Sequence, residues 1–207
     1  MKIKRFLTAA FLCAAVILTP GCKKKENVVS ETTNMNTDGI YNTSVSDEYK
    51  EKISQMKNEF SDSFKDFNKD KAIAEDMAVI CDGEEAIKAY KIKEFCDSIL
   101  KNQPAEVKIA VFNKDEKNVI IKILKYDTNR VYGYFDMRNY KYSNEEYLDF
   151  SYPHCELFEQ PSKNNKIHYL MYLTDEDDYT FEEIMNMNTD TDDAEMGKCV
   201  YVCSYTE

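Results

Sequence analysis

The sequence predicts an α+β domain: an N-terminal amphipathic helix, then an antiparallel sheet of about five or six strands packed on one helix, with a β-α-β-β-β core. Three observations carry this. Ile92, Phe95, Cys96, Ile99 and Leu100 fall at i, i+3, i+4, i+7 and i+8, so they share one helical face. Lys91, Lys93, Glu94, Asp97 and Lys101 take the other face, and Pro104 marks the stop. The runs that follow, Glu106–Asn113, Asn118–Tyr126 and Arg130–Met137, are separated only by short polar turns, which favours antiparallel neighbours. The short apolar run Met77–Cys81 precedes the helix and ends at the turn dipeptide Asp82-Gly83.

Composition sets the bounds. Hydrophobic residues make up 43% and aromatic residues 13% of 207 residues, which is enough for one core. The formal charge is −11; without residues 1–21 it falls near −14, with 24 basic against 38 acidic residues. Such a surface repels nucleic acid, so no nucleic-acid partner is expected.

Residues 1–21 have the layout of a signal peptide. Lys2, Lys4 and Arg5 form a charged start, and Phe6–Leu18 is an apolar run too short to span a bilayer comfortably. Leu18-Thr19-Pro20-Gly21-Cys22 resembles the lipobox of bacterial lipoproteins, in which the Cys is acylated and becomes the new N-terminus. Gly21 and Cys22 match that pattern; Pro20 departs from it, and Leu18 lies one place further upstream than usual. The alternative is an ordinary secretory signal that contains a Cys. Under the lipobox reading the protein is held at the cell membrane on its extracytoplasmic side by acyl chains on Cys22, with Lys23, Lys24 and Lys25 at the headgroups. Residues 22–45 then form the anchor and a polar, flexible tether.

Residues 46–70 hold the N-terminal amphipathic helix. Tyr49, Ile53, Met56, Phe60, Phe64 and Phe67 step by three or four, Ser46 is a suitable N-cap, and Glu48 with Lys52 is an i, i+4 pair. The stripe either meets a partner or docks on its own domain, and docking is favoured because exposed apolar stripes are rare in monomers. Residues 71–207 are expected to form a single α+β domain, opening with a charged link at Lys69–Glu75. Asn139–Pro153 reads as a tyrosine-rich loop with one helical turn. Lys166–Leu173 reads as a strand, Thr180 and Glu183 as the capping box of a helix running to about Met187, and Lys198–Tyr205 as the last strand.

The central block also resembles a domain of unknown function found in small lipoproteins of Gram-positive bacteria. The likeness is carried by Met77-Ala78-Val79-Ile80 with Gly83, by Ile92 and Phe95, by Val107–Phe112, by Leu124-Lys125-Tyr126-Asp127, and by Tyr134-Phe135-Asp136 with Arg138. It covers roughly residues 74–173 and implies no catalytic residue. That family tends to have a helix-capping Asn where this chain has Ala89-Tyr90. The strand–helix–meander order is similar to the cystatin layout, although the Gln-x-Val-x-Gly signature of cystatins is absent.

Few residues suggest chemistry. His154 adjoins Cys155, but the side chains of sequence neighbours point apart, and His168 lies in a strand where it could face either side. Cys81, Cys96, Cys155, Cys199 and Cys203 leave at least one free thiol, and no Cys-x-x-Cys pair suggests zinc. Cys199 and Cys203, at i and i+4 on a strand, should face the same side about 13 Å apart. Cys96 reads as a core thiol. Asn186, Asn188, Asp190 and Asp192 alternate like a calcium loop but lack its Gly and its final Glu. No metal or cofactor is expected. The best candidate site is a row on the third meander strand, Tyr132, Tyr134, Asp136 and Arg138, with Tyr140 and Tyr142 nearby. Strand alternation should leave that row partly exposed and turn Phe135 and Met137 toward the helix. The expected function is a membrane-anchored surface lipoprotein, a non-catalytic domain that binds a protein or envelope ligand. The alternative is an extracytoplasmic enzyme, hydrolase-like, using carboxylates on acidic loops.

Overall fold

The computed structural model describes residues 47–59, 67–114, 116–141, 143–162, 165–189 and 198–207, with 187–189 as backbone only. Cys22, the tether, Phe60, Phe64, Tyr142, Asp190 and Asp192 lie outside the described residues. The elements are α1 (Asp47–Asn58), α2 (Lys69–Ala74), β1 (Ala78–Cys81), α3 (Tyr90–Leu100), β2 (Ala105–Phe112), β3 (Val119–Tyr126), β4 (Val131–Asp136), β5 (Tyr147–Tyr152), β6 (His154–Pro161), β7 (Ile167–Thr174), α4 (Phe181–Thr189) and β8 (Cys199–Thr206). The class is α+β, and its strands form two sheets.

Sheet A has five strands in the order β1-β2-β3-β4-β5. Its β2–β4 part is an antiparallel meander, as expected, and β5 extends it, but β1 pairs parallel to β2, with Ala78 opposite Ile109 and Cys81 opposite Phe112. The reason is the connection: α3 carries the chain back along the sheet, and a helical crossover delivers a parallel strand. The expectation of an all-antiparallel sheet, and with it the cystatin analogy, is corrected here. Sheet B has three antiparallel strands in the order β6-β7-β8. Two strands depart from the sequence reading. Tyr147–Tyr152 is β5 rather than loop, and β6 occupies a segment that showed no strand pattern.

Sheet A is covered on both faces. Ile80, Val107, Ile109, Leu124, Val131, Phe135 and Phe150 join Ile92 and Phe95 of α3, and Tyr169, Met171, Leu173 and Tyr205 of sheet B, in one cluster. On the opposite face Val79, Phe112, Ile121, Ile123, Tyr132 and Tyr134 pack with Met56 of α1 and Ala72 of α2. Strand alternation thus divides neighbouring residues between two cores.

The helix ends follow local chemistry. Ala89 gives α3 no side-chain cap, and the first turn closes with 3₁₀-type bonds, Lys91 N–H to Lys88 C=O and Ile92 N–H to Ala89 C=O. At the other end Asn102 takes φ 53°, Gln103 N–H bonds Ser98 C=O, and Asn102 N–H bonds Ile99 C=O. This is a Schellman stop, made before Pro104 is reached. The stretch read as a charged link contains α2, started by Asn68, whose side chain accepts from Lys71 N–H at 3.0 Å. In α4 the Thr180–Glu183 capping box forms in both directions, at 3.3 and 2.7 Å. In α1 Glu48 and Lys52 pair at 3.1 Å.

Candidate functional site

The tyrosine row sits where alternation places it, but it is not exposed. Tyr132, Tyr134 and Asp136 are 6%, 2% and 3% exposed, and Phe135 on the other face is buried too. The expected half-exposed row is therefore corrected: α1 lies across β4 and covers it. Tyr49 of α1 meets Tyr132 with ring centroids 6.1 Å apart, and the Lys52 ammonium sits 4.2 Å from the Tyr132 ring centroid. A buried phenol still needs a partner for its hydroxyl, and Lys52 supplies one to Tyr132. The helix is fixed at both ends by polar contacts. Tyr49 donates to Asp149 at 2.5 Å, Lys52 pairs with Asp127, and Glu59, just beyond α1, pairs with Lys108 and Lys125. Although burial works against it, Asp127 is held down to about 2 by Lys52 and by the Asn129 and Arg130 backbone N–H groups.

At the end of the row Arg138 grips Asp136. Its Nε donates to both carboxylate oxygens at 3.1 Å, and its second terminal nitrogen donates to Oδ2 at 2.6 Å. The guanidinium also lies 5.2 Å from the Tyr147 ring centroid, with Lys57 at 4.5 Å from the same centroid. Tyr147 stacks on Tyr134 at 5.7 Å. The pair is structural in character, because the carboxylate is buried and its partner is what makes burial tolerable.

The histidines are not brought together with a nucleophile. His168 Nδ1 bonds Thr206 Oγ1 at 3.0 Å across the β7–β8 pairing, and His154 lies opposite Thr174 at the start of β6. Cys155 has a different neighbour: its sulfur lies 3.8 Å from that of Cys96. The reading of Cys199 and Cys203 as residues on one face is also corrected. Tyr201 pairs with Tyr172 and Cys203 with Met171, so Val202 is an extra residue in β8. This bulge reverses the alternation, and Cys203 enters the core between the sheets while Cys199 does not.

Lys122 occupies the same region. It stands in register between Ile109 and Phe135 at the centre of sheet A and is 5% exposed. Its ammonium donates to the carbonyl of bulged Val202 and lies 4.4 Å from the Phe135 ring centroid. Burial lowers its pKa from 10.5 to about 8. Burial also pushes the Cys203 thiol up to about 12, partly offset by Lys122 nearby. No sequence signal marked this lysine as buried, since alternation sets it on the face opposite Ile121 and Ile123 without saying that this face is covered too.

Two other places have the composition of sites. The Cys81 sulfur and the Glu84 and Glu116 carboxylates lie within 4.8 Å of one another. The Lys69 ammonium already sits among them, 2.5 Å from Glu84 and 3.3 Å from Glu116, so a metal ion would have to displace it. A cleft of about 470 Å³ lies between α3, β2 and the end of α2, lined by Glu75, Asp76, Lys91, Glu94, Glu106 and Lys108 among others. Asp76 there is held down to about 2 by Lys88 and Lys91, which makes it a poor proton donor near neutral pH.

The face of sheet B turned away from the core carries a run of aromatic rings. Phe181 of α4 meets Phe158 at 5.6 Å, Phe158 meets Tyr172 at 6.2 Å, and Tyr172 meets Tyr201 at 5.4 Å. Tyr201 is 42% exposed and Met185 of α4 is 39% exposed. The sequence held these residues but gave no reason to group them, because their grouping depends on β6 and on the bulge. Among the described residues no helix is long and apolar enough to cross a membrane. No family model, curated protein or solved structure matches the chain.

Proposed function

We propose that this chain is a lipid-anchored extracytoplasmic domain that binds a protein or envelope ligand without catalysis. The anchor rests on the charged start, the short apolar run and Gly21-Cys22. The relation to small lipoproteins of Gram-positive bacteria rests on the central block of residues named above. The observation that carries the binding reading is the aromatic run Phe181–Phe158–Tyr172–Tyr201 on the outer face of sheet B, which ends at an exposed phenol. Aromatic rings with polar tips supply contact area at low conformational cost and are enriched at interfaces. The tyrosine row on β4 serves α1 instead, so the partner surface lies on the other sheet.

The rival reading, an extracytoplasmic hydrolase, would draw on the acidic cleft. That cleft is lined by neither histidine, and Asp76 in it is locked to two lysines. The test is a photo-crosslinking side chain placed at position 201 in the full chain on intact cells, with position 90, an exposed tyrosine on α3, as control. A defined partner captured from 201 and not from 90 is expected. Equal capture from both positions, or none from 201, overturns the reading.

A further inference from the structure

We propose that Cys96 and Cys155 are a disulfide-forming pair, a covalent modification site that ties α3 to the first strand of sheet B. The two sulfurs come from positions 59 residues apart and lie 3.8 Å from each other. Cys96 is on the buried face of α3. Cys155 is on β6, opposite Leu173, with its side chain against the same core. A disulfide needs its sulfurs at about 2.05 Å, and side-chain rotation can supply an approach of this size when both thiols already touch. The partners belong to different layers, so the bond would join the helix under sheet A to sheet B.

The reaction needs an oxidant, and a small-molecule or protein disulfide is the class that fits. One thiol loses its proton, and its thiolate attacks a sulfur of that disulfide, giving a mixed disulfide and releasing one thiol. The second cysteine, deprotonated in turn, attacks the first cysteine's own sulfur in that mixed disulfide, forms the Cys96–Cys155 bond and releases the external sulfur as the other thiol. Two cysteine thiols are oxidised and one external disulfide is reduced to two thiols. Contact with Cys96 together with burial raises the Cys155 thiol well above its usual range, so the Cys155 thiolate is scarce near neutral pH. Cys203 is a competitor, buried in the same core and within electrostatic reach of both sulfurs. The pairing does not depend on the membrane anchor or on the binding face.

The experiment uses the full chain, reduced and then exposed to oxidised glutathione without denaturant. Free thiols are alkylated, and the digest is mapped by mass spectrometry. The expected product is a linked pair of peptides holding Cys96 and Cys155, with Cys81, Cys199 and Cys203 alkylated. The oxidised chain should melt at a higher temperature, and dithiothreitol should reverse the rise. Cys203→Ser should keep the link, and Cys155→Ser should lose both link and rise. The wild-type map decides the question even if a variant fails to fold. Cys96 and Cys155 both remaining alkylatable, a link through Cys203 instead, or only glutathione adducts would each overturn the pairing.

Discussion

Lys122 offers the sharpest test of how the two sheets are joined. Its ammonium is buried at the centre of sheet A, donating to one backbone carbonyl and lying against the Phe135 and Tyr201 rings, 4.4 and 5.5 Å from their centroids. Replacing it by Met keeps the methylene stem and removes the charge. A pKa lowered from 10.5 to about 8 corresponds to about 3 kcal/mol of penalty for the charged folded state. Below about pH 8 both folded and unfolded chains carry the proton, so the whole penalty is present. Between about 8 and 10.5 the unfolded chain keeps a proton that the folded chain has lost, so stability rises with pH. Above 10.5 neither form is charged and the penalty is gone. Against this, Met leaves the Val202 carbonyl without its donor, at a cost of about 1–3 kcal/mol. Near neutral pH the Lys122→Met chain should thus range from unchanged to about 2 kcal/mol more stable. Urea unfolding of both chains, reduced, at several pH values across that window measures the difference. The Met variant's advantage should shrink by about 3 kcal/mol as pH rises, because other titrating groups cancel in the comparison. Parallel stability curves would refute the buried ammonium. So would a variant that is several kcal/mol less stable at neutral pH, since the lysine would then be a net stabilising contact.

Arg138→Ala should cost about 1–3 kcal/mol in chemical denaturation, because it strands the buried Asp136 carboxylate; an effect below about 0.5 kcal/mol would mean that water reaches that group. Phe95→Ala should cost about 3–5 kcal/mol, and a thermal melt like that of wild type would show that this face of α3 is not core. Gly133→Ala should cost about 1–3 kcal/mol, because a Cβ there would lie 2.0 Å from the Phe150 ring, which also packs edge-on against Phe135; an unchanged melt would show that the ring moves freely. Cys22→Ala should release the protein from membranes, and a variant that still fractionates with them, in a protein that never takes up acyl label, would end the lipoprotein proposal.

The fold was legible where one rule governed a segment. The α3 stripe from Ile92 to Ile99, the alternation of β2 and β3 and the Thr180–Glu183 box each depend on local periodicity or capping, and each stands in the structure, whereas Leu100, read as the end of that stripe, is 65% exposed where the helix stops. Elements set by tertiary context were not legible. β6 is an edge strand, half-exposed along most of its length, so it shows no clean apolar alternation. α2 buries only Ala72 and offers no stripe to find. The parallel β1–β2 pairing did have a signal, since a helix long enough to cross the sheet stands between the two strands. The antiparallel rule holds where short turns join β2, β3 and β4; it extends neither back across α3 to β1 nor forward to one sheet, since β6, β7 and β8 pair separately.

The candidate site shows why polarity along a strand does not fix exposure. Alternation correctly placed Tyr132, Tyr134 and Asp136 opposite Phe135, but it says only which residues share a face, not which face meets water. That depends on how many layers cover the sheet. Here one face receives α3 and sheet B and the other receives α1 and α2, so even Lys122 in the middle strand is enclosed. Polar groups on these buried faces are then met by partners along the same strand or from other elements. Asp136 has Arg138, Tyr132 has Lys52 and Lys122 has the Val202 carbonyl. The last of these depends on a bulge that no local rule announces. The surface left for a partner is what the second sheet turns outward, and its aromatic run exists only because β6, β7 and β8 pair in this register.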